Sequence, residues 1–258
     1  MDQECDRQTD GRTSDYFSSV FTHDDGNRPL FTRRVPYDVS LEYIEFTPAQ
    51  VLRAFKQTRS KRSLDPNVKK LGDPLTKPLC VLFSFLFNSG QIPDDWRVAN
   101  IMPVFKKGSS TACSSYRPIS LTSCFCKLFE RIVKESVMDY LLKNNLIFRH
   151  QHGFLSKSSI CTQLLECVND WSLAISNRRL IDVIYFDFFK AFDSVSHPKL
   201  IYKLSAYGLT GRLLEIVAAF LSNRFHHVVI DNVWSPYAPL TSGVPQGSVL
   251  SRLLFLLL

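Results

Sequence analysis

Hydrophobic side chains recur every three or four residues in two stretches of the chain, 124–142 and 159–175. This period is typical of amphipathic helices, and it predicts that both apolar stripes lie in the core. A third helix is predicted from residue 47 to about residue 58. Thr47 and Gln50 have the spacing of a capping box, and Pro48 suits the first helical turn.

The remaining pattern alternates helices with strands. An apolar stretch that Gly90 ends predicts a helix at 75–89, after a basic loop at 59–70. Further helices are predicted at about 197–207, at 211–223 and from Gln246 onward, and strands at 96–105, 116–122 and 226–231. The first two strands are joined by a short turn and should form a hairpin. These elements predict a mixed α/β (α+β) fold. Residues 1–40 are polar, acidic and aperiodic, which predicts a linker or disordered extension.

Residues 181–186 form a continuous apolar run, which is typical of a strand covered on both faces. Asp187 follows directly. A buried charged carboxylate costs several kcal/mol unless a cation lies beside it, and the backbone carbonyl of Phe188 offers a second oxygen of the kind that Mg²⁺ prefers. Two interpretations remain open at this point: Asp187 binds a metal ion, or it caps the turn that follows.

Charge is distributed unevenly along the chain. The formal net charge is +7, but residues 1–50 contain ten acidic and five basic side chains, a net of −5. Residues 97–157 contain ten basic and three acidic side chains, a net of +7. A basic middle segment is what a surface facing a polyanion requires, although a solvated basic face without a ligand has the same composition.

Composition also bears on the cellular setting. The cysteine count is seven, without the spacing of a zinc site, so reduced thiols are expected. The acidic N-terminus resembles neither a signal nor a transit peptide. The longest apolar run, 253–258, is far shorter than the roughly 20 residues that a membrane span needs. We therefore expect an intracellular protein, nuclear or cytoplasmic and not secreted, without a membrane partner.

A Gly-Val-Pro-Gln-Gly turn at 243–247 precedes the last apolar segment. Its backbone N–H groups and the Gln246 amide can face a nucleotide or phosphate, but an ordinary turn before a helix looks the same.

Six blocks of the chain, in this order, resemble the reverse transcriptases of non-LTR retrotransposons of the LINE, jockey and CR1 kind. They are IPDDWRVANIMPVFKKG, YRPISLTSCFCKLFERIV, LIFRHQHGF, TQLLE, YFDFFKAFDSVSH and TSGVPQGSVL. The resemblance covers nearly all of 41–258. It implies a right-hand polymerase fold with fingers at about 41–180, a partial palm at about 181–258 and no thumb. The implied activity is RNA-directed DNA polymerisation, with an RNA template, a DNA primer and dNTPs as partners.

The resemblance also implies roles for individual residues. Asp187 matches the catalytic aspartate that ligates both Mg²⁺ ions, with Mn²⁺ as a possible substitute, and Phe188 contributes its carbonyl. Phe192 matches the bulky residue that excludes a 2′-hydroxyl. Gln246, Gly247 and Arg117 fall in nucleotide-binding blocks, and nucleic-acid phosphates are expected to meet Lys106, Lys107 and Lys157. Asp193 is expected to cap or fix the next helix, and His150, His152 and His197 are expected to be structural.

The chain departs from the family pattern in several places. Ser251-Arg252 stands where Gly-Pro is usual, and Leu155 replaces an arginine. The family's Ala-Asp-Asp turn, which supplies the remaining metal ligands, is not reached by Leu258. We therefore expect a domain fragment or decayed copy of a mobile element that is inactive as a polymerase by itself. The alternative is a noncatalytic remnant that binds nucleic acid through basic fingers. A Mg²⁺-dependent phosphatase or nuclease is a third possibility, but Phe189 stands where an aspartyl phosphatase needs a second acid.

Overall fold

The computed structural model describes residues 11–58, 72–188 and 190–258. The predicted basic loop at 59–70 lies outside this part of the chain. The helices are α1 (11–18), α2 (Pro48–Gln57), α3 (Gly72–Ser89), α4 (Asp94–Arg97), α5 (Cys124–Lys143), α6 (Ile160–Ser176), α7 (His197–Ala206), α8 (Gly211–Leu221) and α9 (Val249–Leu256). The strands are β1 (Val98–Phe105), β2 (Tyr116–Leu121), β3 (Arg224–Ile230), β4 (Val233–Trp234) and β5 (Ala238–Leu240).

The five strands form one mixed sheet in the order β2-β1-β3-β4, with β5 also paired to β3. β1 and β2 are antiparallel, from Asn100 opposite Leu121 to Phe105 opposite Tyr116, so the predicted hairpin is confirmed. β1 and β3 are parallel, with Val98 opposite Phe225. The first part of the predicted strand at 96–105 is the short helix α4, in which Trp96 is buried.

The helix predictions are mostly confirmed, and capping explains the best of them. The Thr47 hydroxyl accepts a hydrogen bond from the Gln50 N–H at 3.3 Å, and the Gln50 side chain accepts one from the Thr47 N–H at 2.8 Å. This reciprocal pair satisfies two N–H groups that have no partner within α2. Gly90 follows α3 with φ +69°, which glycine adopts without strain.

The main core lies between the helices and is rich in aromatic side chains. The ring of Phe129 in α5 stacks on Phe46 with centroids 5.4 Å apart and meets the edges of Phe83 and Trp96. Buried apolar residues of α2, α3, α5, α7, α8 and α9 complete this core. The core therefore packs α5 against α2 and α3 and also against α9.

The prediction that α6 contributes an apolar stripe to the core is wrong. None of its side chains is buried, and Leu165 and Ile175 are 69% and 68% exposed. Amphipathic spacing determines which face of a helix is apolar, but it does not determine what covers that face.

The prediction of a doubly covered strand at 181–186 is also wrong. Residues 181–188 have no regular secondary structure, and Tyr185 and Phe186 are exposed. A strand forms only when a neighbouring backbone supplies hydrogen-bond partners. Among the described residues no strand pairs with this segment, so apolar composition alone does not make it a strand.

The expectation that the first 40 residues are without packed structure is wrong from residue 11 onward. Residues 11–18 form α1, and Phe17 packs against Ala99, Ile101 and Val228 on the sheet. Farther along, the Arg34 N–H donates to the carbonyl of Ala206 at 2.8 Å. The aperiodic pattern concealed these contacts because one buried aromatic side chain suffices to hold a short helix on a sheet.

No helix in the described ranges is long and apolar enough to cross a membrane. The six cysteines in these ranges are free thiols.

If α1 is held by Phe17, Phe17→Ala should lower the free energy of unfolding by about 3–4 kcal/mol, because it removes a buried aromatic ring from the sheet. Leu30→Ala is the matched control in the same segment, since Leu30 is 95% exposed and its change should stay within about 0.5 kcal/mol. Urea unfolding followed by circular dichroism measures both. Equal effects of the two substitutions would contradict the packing of α1.

Candidate functional site

The turn before α9 is joined to a distant segment by backbone hydrogen bonds. The Val244 N–H donates to the Phe192 carbonyl, and the Gly243 N–H donates to the Val195 carbonyl, both at 2.8 Å. Gly243 has φ +84°, and a Cβ there would lie 2.8 Å from backbone atoms of Asp193. Glycine is therefore required for this close approach. Two sequence blocks about 50 residues apart thus form one structural unit.

Gln246 stabilises this unit by hydrogen bonds from its side chain and to its backbone carbonyl. Its Nε2 donates to Oδ1 and Oδ2 of Asp193 at 3.0 and 3.1 Å. Its carbonyl accepts from the N–H of Ser120 in β2 at 2.6 Å. At Gly247, φ is +113° and a Cβ would lie 2.7 Å from the Ser120 carbonyl oxygen. The turn therefore lies directly against the strand that contains Arg117.

Asp193 accepts the Gln246 amide instead of capping the next helix. Ser196 is the cap, since its hydroxyl accepts from the Lys199 N–H. Burial raises the pKa of the Asp193 carboxyl, while the hydrogen bond from Gln246 and the charge of Lys190 lower it. Burial is the largest of these effects, so the carboxylate depends on the amide as its hydrogen-bond donor.

Phe192 lies in an aromatic cluster beside the same turn. Its ring stacks on Phe255 of α9 with centroids 4.4 Å apart and an interplanar angle of 13°. Phe154 meets both rings edge-on, at 6.2 and 6.1 Å. The structure therefore brings together three of the predicted site residues, namely Phe192, Gln246 and Gly247.

Asp187 and Phe188 differ from the residues of this unit in burial, because both are exposed on the segment without regular structure. Phe188 borders a cavity of about 720 Å³ that Lys199 and Lys203 also line. Within residues 11–58, 72–188 and 190–258, no group of three or more His, Cys, Asp or Glu side chains is arranged to hold a metal ion.

The predicted phosphate-binding side chains occupy two places. Lys106, Lys107 and Arg117 are exposed on the β1–β2 hairpin, where the Lys106 N–H donates to the Ser115 carbonyl at 2.8 Å. Lys157 is exposed in the loop before α6 and has φ +67°. The hairpin therefore presents three cations on one element, and Lys157 stands on another.

Space beside Gln246 is limited by the N-terminal segment. Phe17, Phe21 and Pro118 line a void of about 20 Å³ next to Asp193 and Gln246, which is the size of a single water molecule. The Thr22 N–H also donates to the Ser242 hydroxyl at 2.8 Å. Residues 17–22 thus occupy the space on this side of the turn.

The histidines that the sequence singled out all contact protein groups. His150 and His152 each contact a carboxylate oxygen of Glu166, and hydrogen bonds from His152 and then His150 lower the pKa of Glu166. His197 Nε2 lies 2.7 Å from the Gly243 carbonyl oxygen. The contacts of His150 and His152 join the loop at 150–152 to α6. The contact of His197 joins α7 to the turn at Gly243.

Sequence reasoning missed Glu130 in α5, which is fully buried and contacts the residues that follow Gly247. The available signal was an acidic side chain inside an apolar helical stripe, where an unpaired charge would be costly.

Comparison with known proteins identifies the family. The model of the reverse transcriptase (RNA-dependent DNA polymerase) family matches residues 104–258, and the chain belongs to this family. Its mixed α/β architecture accordingly represents reverse transcriptase fingers and palm.

The relatives come from non-LTR retrotransposons. The RNA-directed DNA polymerase from mobile element jockey of Drosophila melanogaster is 32% identical over 189 residues, which are 73% of this chain and 20% of that protein. The probable RNA-directed DNA polymerase from transposon BS of the same species is 26% identical over 235 residues, covering 88% and 26%. The chain thus spans about a fifth to a quarter of the length of these curated relatives. A solved partial Cas6-RT-Cas1–Cas2 complex overlaps 82% of the chain at 15% identity, with a TM-score of 0.44.

Stability should fall as the pH is lowered from about 6.5 to about 4, because burial lowers the pKa of His226 to about 4. The unfolded chain binds a proton in this window and the folded protein does not, which lowers the free energy of unfolding by about 3 kcal/mol. Both ring nitrogens of His226 are buried without a hydrogen-bond partner in the described structure.

His226→Asn should flatten this pH dependence, whereas His23→Asn, at an exposed position, should leave it unchanged. Urea unfolding across the pH range measures the slope. An unchanged slope in His226→Asn would refute the assignment.

Proposed function

We propose that the protein is the reverse transcriptase domain of a non-LTR retrotransposon, which extends a DNA primer on an RNA template. In this reaction the primer 3′-oxygen forms a bond to the α-phosphorus of a dNTP, the bond between that phosphorus and the leaving oxygen breaks, and pyrophosphate departs. The carrying observation is the contact of the Gln246 turn with both the Phe192 segment and strand β2. This contact unites three blocks of the family pattern at one place.

The proposed roles of individual residues come from the family resemblance, and that arrangement supports them. Gln246 and Gly247 contact the incoming nucleotide, and Arg117, three residues from Ser120 on the same strand, binds its phosphates. Phe192 selects deoxynucleotides by its bulk, and its stacking on Phe255 supports a fixed ring position. Lys106, Lys107 and Lys157 bind the backbone phosphates of template and primer.

Divalent metals serve reverse transcriptases generally, and the finer proposal concerns the ligands. Asp187 and the Phe188 carbonyl are the ligands proposed for two Mg²⁺ ions, with Mn²⁺ as the substitute. Asp187 and the Phe188 carbonyl alone offer fewer oxygen atoms than two Mg²⁺ ions bind, so the proposed site takes further oxygen ligands. The proposed place of action is inside the cell, nuclear or cytoplasmic, where RNA and dNTPs are present.

Primer extension on an RNA template tests the catalytic proposal. The 258 residues by themselves are expected to incorporate no dNTPs. In a fusion that adds the Ala-Asp-Asp turn of a family member, incorporation should be lost in Asp187→Ala and kept in Asp182→Ala, a matched exposed aspartate of the same segment. Incorporation that survives Asp187→Ala would contradict the role of Asp187. If the 258 residues bind template and primer without incorporation, as the sequence predicts, the noncatalytic alternative describes this chain.

Binding of an RNA–DNA duplex should weaken with salt, because each phosphate contact releases condensed counterions. Lys106→Ala/Lys107→Ala should reduce the slope of log K against log salt by about 1 to 2. The control Lys56→Ala/Lys77→Ala removes two exposed lysines of α2 and α3. Fluorescence anisotropy at several salt concentrations measures the slopes. Equal slopes in the two double variants would exclude the hairpin as the phosphate-binding element.

A further inference from the structure

Glu130 is a charged side chain with no exposed surface. It lies in α5 between the buried residues Phe129 and Ile132. A carboxylate in such surroundings costs several kcal/mol of folding free energy unless hydrogen-bond donors surround it. The position of its donors therefore indicates what the side chain holds in place.

Three donors meet the Glu130 carboxylate, and two of them belong to the start of α9. Oε2 accepts from the Ser248 hydroxyl and, at 2.8 Å, from the Leu250 N–H. Oε1 accepts from the Cys126 thiol at 3.3 Å. Burial and the neighbouring Glu130 raise the pKa of Cys126, which keeps that thiol protonated as a donor.

The same contacts complete the N-terminus of α9. The Ser248 hydroxyl accepts from the Ser251 N–H at 3.2 Å while it donates to Glu130. Leu250 carries one of the first N–H groups of the helix, which lack partners within it, and the negative charge of Glu130 is favourable there. Glu130 thus acts as a second cap from another helix and fixes the position of Ser248.

Ser248 directly follows Gly247, so Glu130 holds one end of the turn that Asp193 and Ser120 hold at the other. The Ser248 N–H also donates to the Pro245 carbonyl at 3.2 Å, which closes the turn over Gln246 and Gly247. Phe192, next to Asp193, also contacts α9 by stacking on Phe255. Glu130 adds the hydrogen bonds that join the first residues of α9, beside the turn, to α5.

We propose that Glu130 is a positioning residue for nucleotide recognition by Gln246 and Gly247. Through Ser248 and Leu250 it sets the location of their backbone and amide groups without touching the nucleotide. This inference rests on the proposed nucleotide-binding function of that turn, and its structural part is measurable without a nucleotide.

The test is Glu130→Gln, with Glu135→Gln as the matched control. Glutamine keeps the shape and one acceptor oxygen, but it removes the negative charge. The bonds from Ser248 and Leu250 to that oxygen then lose their charge assistance, and the NH₂ group faces the Cys126 thiol. Glu135 is on the same helix, in a partly exposed ion pair with Arg53. Ser248→Ala is the second variant, because it removes one donor and leaves the carboxylate in place.

Hydrogen exchange and ligand binding are the two measurements. Exchange at the amides of Val244 and Ser248, whose hydrogen bonds flank Gln246 and Gly247, should accelerate in Glu130→Gln and Ser248→Ala and stay unchanged in Glu135→Gln. With Mg²⁺ present, the Kd for etheno-dATP should rise about 10-fold in Glu130→Gln, as expected when hydrogen bonds to a charged acceptor become bonds to a neutral one. Affinity for an RNA–DNA duplex should change less than about twofold, because Lys106 and Lys107 lie at the turn end of the hairpin, whereas Gln246 contacts Ser120 near its other end.

The outcomes separate the inference from the function on which it rests. Unchanged exchange at Val244 and Ser248 in folded Glu130→Gln overturns the positioning role. A parallel loss of nucleotide and duplex affinity indicates general loosening and also overturns it. Faster exchange in the variant together with no etheno-dATP binding by the wild-type protein refutes the proposed nucleotide-binding function and supports the structural role of Glu130.

Discussion

The backbone pairing of residues 192–195 with residues 243–244 is the constraint on which the candidate site depends. Hydrogen bonds of 2.8 Å join two segments that are far apart in sequence, and the closeness of their backbones excludes a side chain at Gly243. Every further contact of the site builds on this approach. The Gln246 amide reaches Asp193 only because the two turns already lie together, and the stacking of Phe192 on Phe255 follows from the same placement.

Burial makes these contacts specific. Asp193 and Glu130 are carboxylates removed from most or all solvent, and each is met by donors from the turn or from the helix that follows it. A buried carboxylate tolerates few alternative arrangements, because every shift leaves an unpaired charge. The two acids thereby position the turn from two sides. Asp193 acts through the side-chain amide of Gln246, and Glu130 acts through the N-terminus of α9.

Local sequence signals were sufficient for elements whose stabilising contacts are local. The capping box at Thr47 and Gln50 lies within four residues, and only the ten residues 106–115 separate the strands of the β1–β2 hairpin, so both could be predicted. The failures concern contacts made far along the chain. Whether the 181–186 run is a strand depends on a pairing backbone, and whether Phe17 is buried depends on a sheet that begins some 80 residues later. Family resemblance located Gln246 and Phe192, but neither periodicity nor resemblance indicated that Asp193 and Glu130 anchor their turn.

The exposed stretch at 181–188 also affects how the protein behaves at high concentration. Its large apolar side chains are exposed and no strand of the described residues pairs with it, a combination that favours pairing between molecules in the manner of cross-β assemblies and that the charges of Asp182 and Asp187 oppose. The β2 edge of the sheet is protected differently, because Pro118 removes an N–H group and Arg117 adds charge there. Self-association of this protein should therefore begin at the unpaired apolar stretch and leave the sheet edge untouched.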